Sequence, residues 1–339
     1  MRQKQDGRLP AAWHILLILL PILAALIALG IGRIGIAPSQ VVSSVIGKLT
    51  GHSELPELTE KTLWQLRFPR ILLAILAGAG LSAAGCAFQS LFANPLATPD
   101  TLGVASGASF GAALGILMGL RLIGIQMVSL LMGFAAVSLT WLCGRGKGRG
   151  LSTVVLSGIM IGSLFSALVS LVKFTADTET QLPSITYWLM GSLDRASWKT
   201  LSLGAPLILA GIVILWLLRW RLNLLPLSED EVRSSGANIR ALRVVTVLSA
   251  AAITAACVSM CGQVGWVGLL IPHMCRMKFG SSHLALVPAG VSLGAVFLIA
   301  VDTAARSISA AEIPVSVLTA IVGAPFFIYL MRRSGGWQY

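Results

Sequence analysis

Long apolar stretches separated by short polar ones dominate the chain from residue 13 to residue 330. A helix needs roughly 20 mostly apolar residues to cross a bilayer. The pattern therefore predicts an all-α polytopic membrane protein, with one transmembrane domain over 1–339. We place its ten transmembrane helices at 12–32, 71–92, 102–118, 123–143, 152–175, 201–218, 244–260, 264–274, 286–305 and 314–331.

Two polar stretches have patterns of their own. An amphipathic surface helix is predicted to begin at Pro38, because valines and isoleucines recur there at helical spacing. Within 176–199 several aromatic residues interrupt the polar sequence, which is typical of a helix at the membrane–water interface.

The stretch 67–119 combines a chain break with a row of glycines. Turn signals at Asn94 and Pro99 separate two apolar helices, and the second helix has a glycine at every fourth position. Spacing of four places such residues along one side of a helix, so we predict that a neighbouring helix packs closely against its backbone. The glycines of this row are Gly103, Gly107, Gly111, Gly115 and Gly119.

Composition supports the membrane assignment. Hydrophobic residues make up 56% of the chain, charged residues only 11%, and the mean hydropathy is +0.85, whereas soluble domains carry about 25% charged residues. The net charge of +12 would suggest a nucleic-acid partner in a soluble chain. An even number of transmembrane helices puts both termini on the same side of the membrane, and most lysines and arginines fall on loops of that side. The positive-inside rule therefore predicts cytoplasmic termini and explains the charge without a nucleic-acid partner.

The sequence offers little catalytic chemistry. It contains no G-x-x-x-x-G-K-[ST] motif, so we expect no ATP binding by this chain. Ser109 lies in a G-x-S-x-G match, but in mid-helix rather than in the strand–turn–helix setting that a nucleophile requires. His273 stands alone, and Cys257 and Cys261 are read as small packing residues. We therefore predict no catalytic residue, no metal site and no bound cofactor.

Charged residues near one end of the bundle allow two interpretations. Asp302 and Arg306 are four apart on one helix, so they could neutralise each other, or Asp302 could relay protons in an ion-coupled secondary transporter. Arg67, Arg70 and Arg306 all fall on the predicted outer side, against the positive-inside trend. Their position favours an acidic partner that docks on that face.

The polar segment 219–243 is predicted to contain a short cytoplasmic helix of about two turns. Ser228 has the N-cap position, acidic residues follow it in the first turn, and Gly236 ends the helix.

Five stretches resemble one family of membrane proteins, the permease subunits of the ABC importers for iron-siderophores, haem and vitamin B12 (FecCD-type, or type II, importers). They lie in both halves of the chain and in the family's order. The stretches are RFPR at 67–70, NPLATPDTLGVASGA at 94–108, LNLLPLSEDEVRSSG at 222–236, GQVGWVGLLIPHMCR at 262–276 and EIPVSVLTAIVGAPFF at 312–327.

The resemblance implies a BtuC-like permease fold with ten transmembrane helices per subunit, in the plasma (inner) membrane of a bacterium. It also implies a homodimer or a pair of unlike permeases, two ATP-binding cassette subunits that use ATP and Mg, and an extracytoplasmic substrate-binding protein. The cargo would be a metal chelate, with an iron-siderophore favoured over haem and cobalamin.

The resemblance also assigns roles to individual residues. Docking of the binding protein falls on Arg67, Arg70 and Arg306. The helix that couples to the ATPase falls on 227–236, with the contacting residues Leu227, Ser228, Glu229, Asp230, Glu231, Arg233 and Gly236. The cytoplasmic gate falls on Asn94, Leu96, Ser152 and Thr153. The chain departs from the family pattern at Ala93, Ser228, Ser235, Ser282 and Leu284.

Overall fold

The computed structural model describes residues 7, 9–32, 35–51, 55–144, 151–228, 231–232, 236–309 and 312–333. This part of the chain is helical throughout and contains no strand. Its α-helices are α1 (Ala11–Gly30), α2 (Pro38–Thr50), α3 (Glu57–Lys61), α4 (Phe68–Leu91), α5 (Val104–Leu117), α6 (Leu122–Gly144), α7 (Leu151–Thr175), α8 (Gln181–Leu189), α9 (Trp198–Leu217), α10 (Ile239–Cys261), α11 (Val267–Phe279), α12 (His283–Ile308) and α13 (Val315–Arg333). A π-helical turn, Thr62–Arg67, joins α3 to α4, and 3₁₀ turns form at Pro99–Leu102 and Arg221–Leu224.

The all-helical, polytopic architecture is confirmed. Within the described residues, seven helices are long and apolar enough to cross a membrane. The three other predicted spans coincide with α5, α11 and α13, which are helical but shorter or less uniformly apolar than the seven. Both surface helices are present, as α2 and α8.

Two predicted helix starts are corrected. The second long helix runs without interruption over Glu57–Leu91, rather than beginning at 71. Proline normally ends a helix because it lacks an N–H and clashes with the preceding turn, and the wider π turn immediately before Phe68 accommodates Pro69. Likewise, α10 begins at Ile239 instead of 244, because the side chain of Asn238 accepts the N–H of Ala241 and caps the helix there.

Helix α4 forms the centre of the bundle. In its apolar stretch 89% of the residues are buried, against 17% in α1 and 28% in α7. It packs on α12, α10, α9 and α11, and Gly78 of α4 lies directly against Gly294 of α12, so that the two backbones touch. The exposed apolar faces of α1 and α7 are what a helix facing lipid or a second subunit presents.

The glycine row of α5 meets α6 at three of its five positions. A Cβ at Gly107 would lie 2.6 Å from the carbonyl oxygen of Met132, and one at Gly111 would lie 2.5 Å from that of Val128. Gly115 faces the backbone of Ile125 in the same way. The helices can approach this closely only because no side chain separates them.

The two ends of the glycine row have different roles. Gly103 is the N-cap residue of α5, with φ of 72°, and lies against Gly162 of α7. Gly119 follows the end of α5 with φ of 67°, and a Cβ there would meet no atom within 4 Å. Gly119 therefore belongs to the turn before α6 and lies outside the packed row.

Candidate functional site

Five charged residues meet at the end of the bundle where α1 stops and α4 begins, and we call them the ion cluster: Arg67, Arg70, Asp302, Arg306 and Glu312. Its arginines include all three residues predicted to dock a binding protein. They are not free side chains on the surface, since Arg67 is only 6% exposed and Arg306 8%. Two regions far apart in sequence build the cluster, the junction of the π turn with α4 and the end of α12 with the loop that follows it.

Arg70 is the centre of the ion cluster. Its Nε lies 3.0 and 3.1 Å from the two carboxylate oxygens of Asp302, and its Nη1 lies 2.9 Å from Oε2 of Glu312. Asp302 is buried, whereas Glu312 is partly exposed in the loop between α12 and α13. Arg306 is the weaker partner of Asp302, at 3.8 Å. The predicted Asp302–Arg306 pair is therefore present, but Arg70 is the principal partner.

The other two arginines, Arg67 and Arg306, cap the C-terminal end of α1. Arg67 Nη1 donates to the carbonyl oxygen of Leu29, and Arg306 Nη2 donates to that of Ala28. The last four carbonyls of a helix have no partner within the helix, and positive charge at that end is favourable. The last turn of α1 contains no basic residue of its own, so the guanidinium groups of α4 and α12 supply the donors.

The composition of the ion cluster bears on its chemistry. Among the described residues, the ion cluster brings three guanidinium groups and two carboxylates together. Asp302 accepts two hydrogen bonds from the guanidinium of Arg70, a charge-assisted and geometrically specific arrangement. This geometry suits a fixed structural ion pair. Glu312 was missed in the sequence because it stands alone between two apolar helices.

The opposite end of α4 leads into the predicted gate. Ala93 has φ of 45°, and the Oδ1 of Asn94 accepts the N–H of Leu96 at 2.9 Å, which fixes a tight turn. The side chain of Leu96 is 46% exposed. These two gate residues therefore lie at the surface, roughly 35 Å from the ion cluster, given the 1.5 Å rise per residue of a helix.

The other two predicted gate residues, Ser152 and Thr153, lie in the first turn of α7. Helix α7 packs on the 3₁₀ turn Pro99–Leu102 that follows the Asn94 turn, where Gly158 lies against Leu102. The two gate segments are thus connected through one packed interface of α7.

A cavity of about 470 Å³ opens beside the Asn94 turn and is bordered on its other side by Pro226 and Leu227. Arg276 Nη2 donates to Oε1 of Gln89 at 3.2 Å on one wall. On another, Oδ1 of Asn223 lies 2.9 Å from both the backbone N and Nδ1 of His283. Gln89, Asn223 and Arg276 were not singled out in the sequence, since only the fold brings them together.

The predicted coupling segment begins as expected. Oε2 of Glu231 accepts from the backbone N of Ser228 at 2.9 Å and from its hydroxyl at 2.8 Å, and Ser228 Oγ in turn accepts the N–H of Glu231 at 3.4 Å. This reciprocal pair is a capping box. Gly236 has φ of 70°, as a glycine that ends a helix does. Leu227 is 41% exposed. The predicted contacts Glu229, Asp230 and Arg233 lie outside the described residues.

A second cavity, of about 280 Å³, lies deeper between α4, α10 and the start of α11, and Asp100 and Trp266 line it. Asp100 Oδ1 accepts the N–H of Ala105 at 3.0 Å and so caps α5. Trp266 has φ of 71° and packs against Gly323 of α13. Both residues lie within stretches that carry the family resemblance, but their positions on a cavity wall follow only from the fold.

The residues considered for catalysis or metal binding take part in the packing of the helices. Cys261 Sγ donates to the carbonyl oxygen of Cys257 at 3.0 Å, and both side chains are buried. Ser109 is buried in α5, and the His273 ring packs 5.6 Å from that of Phe327. Across the described residues, no group of three or more His, Cys, Asp or Glu side chains could hold a metal ion.

Comparison with known proteins gives a consistent picture. Residues 18–333 match the model of the FecCD transport family. The molybdate import system permease MolB of Haemophilus influenzae is 40% identical over 324 residues, covering 94% of this chain and 96% of that protein. The Fe(3+)-citrate import system permease YfmE of Bacillus subtilis is 35% identical over 323 residues, covering 94% of each. A solved structure, described as an inward-facing conformation of a metal-chelate type ABC transporter, superposes with a TM-score of 0.86 at 38% identity, covering 96% of this chain and all of that one.

Proposed function

Because the chain belongs to the FecCD transport family, whose members are permease subunits of type II ABC importers and not enzymes, we propose that it carries an iron-siderophore across the bacterial plasma membrane. The observation that supports an importer role most directly is the full-length match to a metal-chelate transporter. Relatives named for molybdate and for Fe(3+)-citrate are similarly related along their full length, so the choice of an iron-siderophore is the specific part of the proposal.

The proposed arrangement in the membrane has ten spans. Helices α5, α11 and α13 would cross together with the seven long helices. Both termini would then face the cytoplasm, as the distribution of lysine and arginine favours. In this orientation the ion cluster faces outward, while the Asn94 turn and the coupling segment face inward.

The proposed partners follow from this orientation. Two such permeases, as a homodimer or an unlike pair, would enclose the pathway. Two ATP-binding cassette subunits would bind at 227–236, where the Ser228–Glu231 capping box and the cavity beside Leu227 offer a shaped surface. The arginines of the ion cluster would attract acidic side chains of a substrate-binding protein. ATP and Mg would be used by the cassette subunits only.

In the proposed cycle, the cassettes close on ATP and pull on the coupling segment. Leu227 borders the same cavity as Asn94 and Arg276, so this displacement would reach the Asn94 turn directly. The turn would move relative to α7, and Leu96 with Ser152 and Thr153 would open or close the cytoplasmic exit.

The experiment that tests the proposed function has two stages. The tagged protein is extracted gently from native membranes, and the intact mass of the complex is measured. Two permeases with two P-loop ATPases are expected, and a lone chain or a simple homodimer after crosslinking would overturn the importer assignment in favour of a secondary transporter.

The complex is then reconstituted with its binding protein, and ATP hydrolysis is measured with ferric siderophore, haem, cobalamin and molybdate. Stimulation by molybdate alone would overturn the choice of cargo but leave the importer intact.

A further inference from the structure

A groove of about 330 Å³ lies where α9 ends and α10 begins, outside the ion cluster and both cavities described above. We call it the α9–α10 groove, and its walls include Leu218, Trp220, Arg221, Gly236, Ala241 and Val245. Its volume falls near the lower end of the range of ligand pockets, roughly 300 to 1,000 Å³. Since both helices are long apolar spans, the groove lies at a boundary between membrane and water.

The groove is open because small residues form one of its walls at the point where the two helices separate. Further along, α9 and α10 are in close contact, with Gly211 of α9 lying against Ile253 of α10. At the groove, a Cβ on Gly236 would meet no atom within 4 Å, and Ala241 is exposed.

Arg221 lines the mouth of the groove, and Arg219 and Arg240 lie within two residues of its walls along the chain. The guanidinium of Arg221 lies 5.1 Å from the ring centre of Trp220, and that of Arg219 lies 4.1 Å from the ring centre of Trp216. Arg240 is exposed in the first turn of α10, a turn that contains no acidic residue. The amino end of a helix adds a partial positive charge of its own. The mouth therefore suits a phosphate group.

The inner wall of the groove continues into an apolar surface. Ala241, Val245 and Leu248 lie on one side of α10 at the spacing of successive helical turns, and Leu248 is 52% exposed. Trp220, also 52% exposed, has the position that indole rings take among lipid headgroups. A molecule with a phosphate at the mouth could thus place a hydrocarbon chain along α10.

From these features we infer that the α9–α10 groove binds an anionic phospholipid, with its phosphate at Arg219 and Arg221 and an acyl chain along Val245 and Leu248. A free phosphate would use the arginines alone and would leave the apolar wall uncovered. The combination of basic mouth and apolar wall is what recognises a lipid, as in other basic pockets beside membrane-spanning helices. The inference does not depend on the cargo, but the groove adjoins the proposed ATPase contact, because Gly236 belongs to both.

Native mass spectrometry of the purified full-length protein tests this inference. Phosphatidylglycerol and phosphatidylcholine are titrated in parallel, and retention of phosphatidylglycerol is expected to be stronger. A juxtamembrane arginine contributes about fivefold to binding of an anionic lipid, so Arg219→Gln with Arg221→Gln should weaken retention about 30-fold. The matched control is Arg195→Gln with Lys199→Gln, which removes two charges at the other end of α9 and one cation–π contact, that of Arg195 with Trp188. This control should retain the lipid.

Two further measurements separate the groove from general charge attraction. Ala241→Leu fills the groove without changing the charge and should also lower phosphatidylglycerol retention. Glycerol phosphate, which has the headgroup chemistry without acyl chains, should displace the lipid only weakly. Equal retention of both lipids, equal loss in the two double variants, no effect of Ala241→Leu, or full displacement by glycerol phosphate would each overturn the inference.

Discussion

Arg70 holds both carboxylate oxygens of Asp302 although the two residues are 232 positions apart in the chain. The bond joins the start of α4, the most buried helix, to the end of α12. Both groups are largely withdrawn from solvent, with side-chain exposures of 13% and 2%. A buried charge is tolerated only when its partner is in place. The relationship therefore makes Arg70 a structural residue as well as a candidate for partner docking.

Removing either member of this pair should destabilise the protein strongly. Arg70→Gln or Asp302→Asn leaves the other charge buried without its main partner, which costs roughly 3 to 5 kcal/mol in the free energy of unfolding. The double variant should lose much less than the sum of the two. Denaturant unfolding in detergent, followed by circular dichroism, measures all three.

The matched control for this prediction is the exposed pair Lys61–Glu57, whose side chains are 59% and 80% exposed. Lys61→Gln should change stability by no more than about 0.5 kcal/mol. If Asp302→Asn were as mild as Lys61→Gln, the Arg70–Asp302 pair would not be a structural element.

The contrast between Arg70 and Arg306 illustrates what the sequence could and could not predict. Spacing of four predicted that Arg306 would face Asp302, because neighbours on one helix can be read from the sequence. It could not predict that α4 brings a better donor, since contacts between distant helices depend on how the whole bundle packs. The positions of the apolar helices were predictable as well, because they too depend on residues that are close together in the sequence.

Other residues also show that local features can be predicted from the sequence, whereas tertiary contacts cannot. The N-cap at Ser228 was predicted from the sequence alone, and the structure adds its reciprocal pairing with Glu231. The start of the second long helix was misplaced because Pro69 is a strong local signal against a helix, and the π turn that accommodates it has no clear sequence pattern. Glu312 and the cavity around Arg276 depend on tertiary contacts.

The close contact of α5 with α6 predicts a large effect from a single methyl group. In Gly111→Ala the new Cβ would lie 2.5 Å from the carbonyl oxygen of Val128 and 2.7 Å from Cα of Ser129. Both are backbone atoms, so α6 must move, and overpacking of this kind costs typically about 1 to 3 kcal/mol. The midpoint of thermal unfolding in detergent should fall accordingly. Gly35→Ala is the control, because a Cβ there meets no atom within 4 Å, and an equal loss in both variants would contradict the prediction.

Docking of a binding protein is predicted to respond to Glu312. This carboxylate is the partly exposed anion of the ion cluster, and its Oε2 lies 2.9 Å from Arg70 Nη1. Glu312→Gln leaves Asp302 in place and increases the positive charge that a partner's acidic residues would meet. Affinity for the binding protein recovered with the complex should rise by up to about fivefold at low salt, as measured by surface plasmon resonance.

The double variant Arg67→Glu, Arg70→Glu should abolish that docking, but it also breaks the buried contacts of both arginines. Glu312→Gln is therefore the cleaner variant, with Glu57→Gln on exposed α3 as its control. Unchanged affinity in Glu312→Gln, together with unchanged affinity in a folded Arg67→Glu, Arg70→Glu protein, would rule out docking at the ion cluster.

Ser228 should control the coupling of ATP hydrolysis to transport. Ser228→Ala removes the hydroxyl from the capping box and with it one donor to the Glu231 carboxylate, so the start of the coupling segment becomes less ordered. Substrate-stimulated ATPase activity of the reconstituted complex should fall severalfold, while basal activity falls less. Ser228→Asp, which also caps helices well, should restore most of it. Ser197→Ala is the control, because it removes the cap of α9 away from the coupling segment.

The pH dependence of coupling follows from the same contacts. The backbone N–H of Ser228, followed by its hydroxyl, lowers the pKa of the Glu231 carboxyl below its ordinary value. A carboxyl group with a lowered pKa stabilises the folded segment at pH values above its pKa in the unfolded chain, about 4.3, and loses this effect as the pH falls through the lower, folded value. Coupling in the wild-type complex should therefore stay constant between about pH 6 and pH 8 as far as this contact is concerned. A Ser228→Ala defect that disappeared when the pH was raised within that range would contradict the assignment, because Glu231 is fully ionised throughout it.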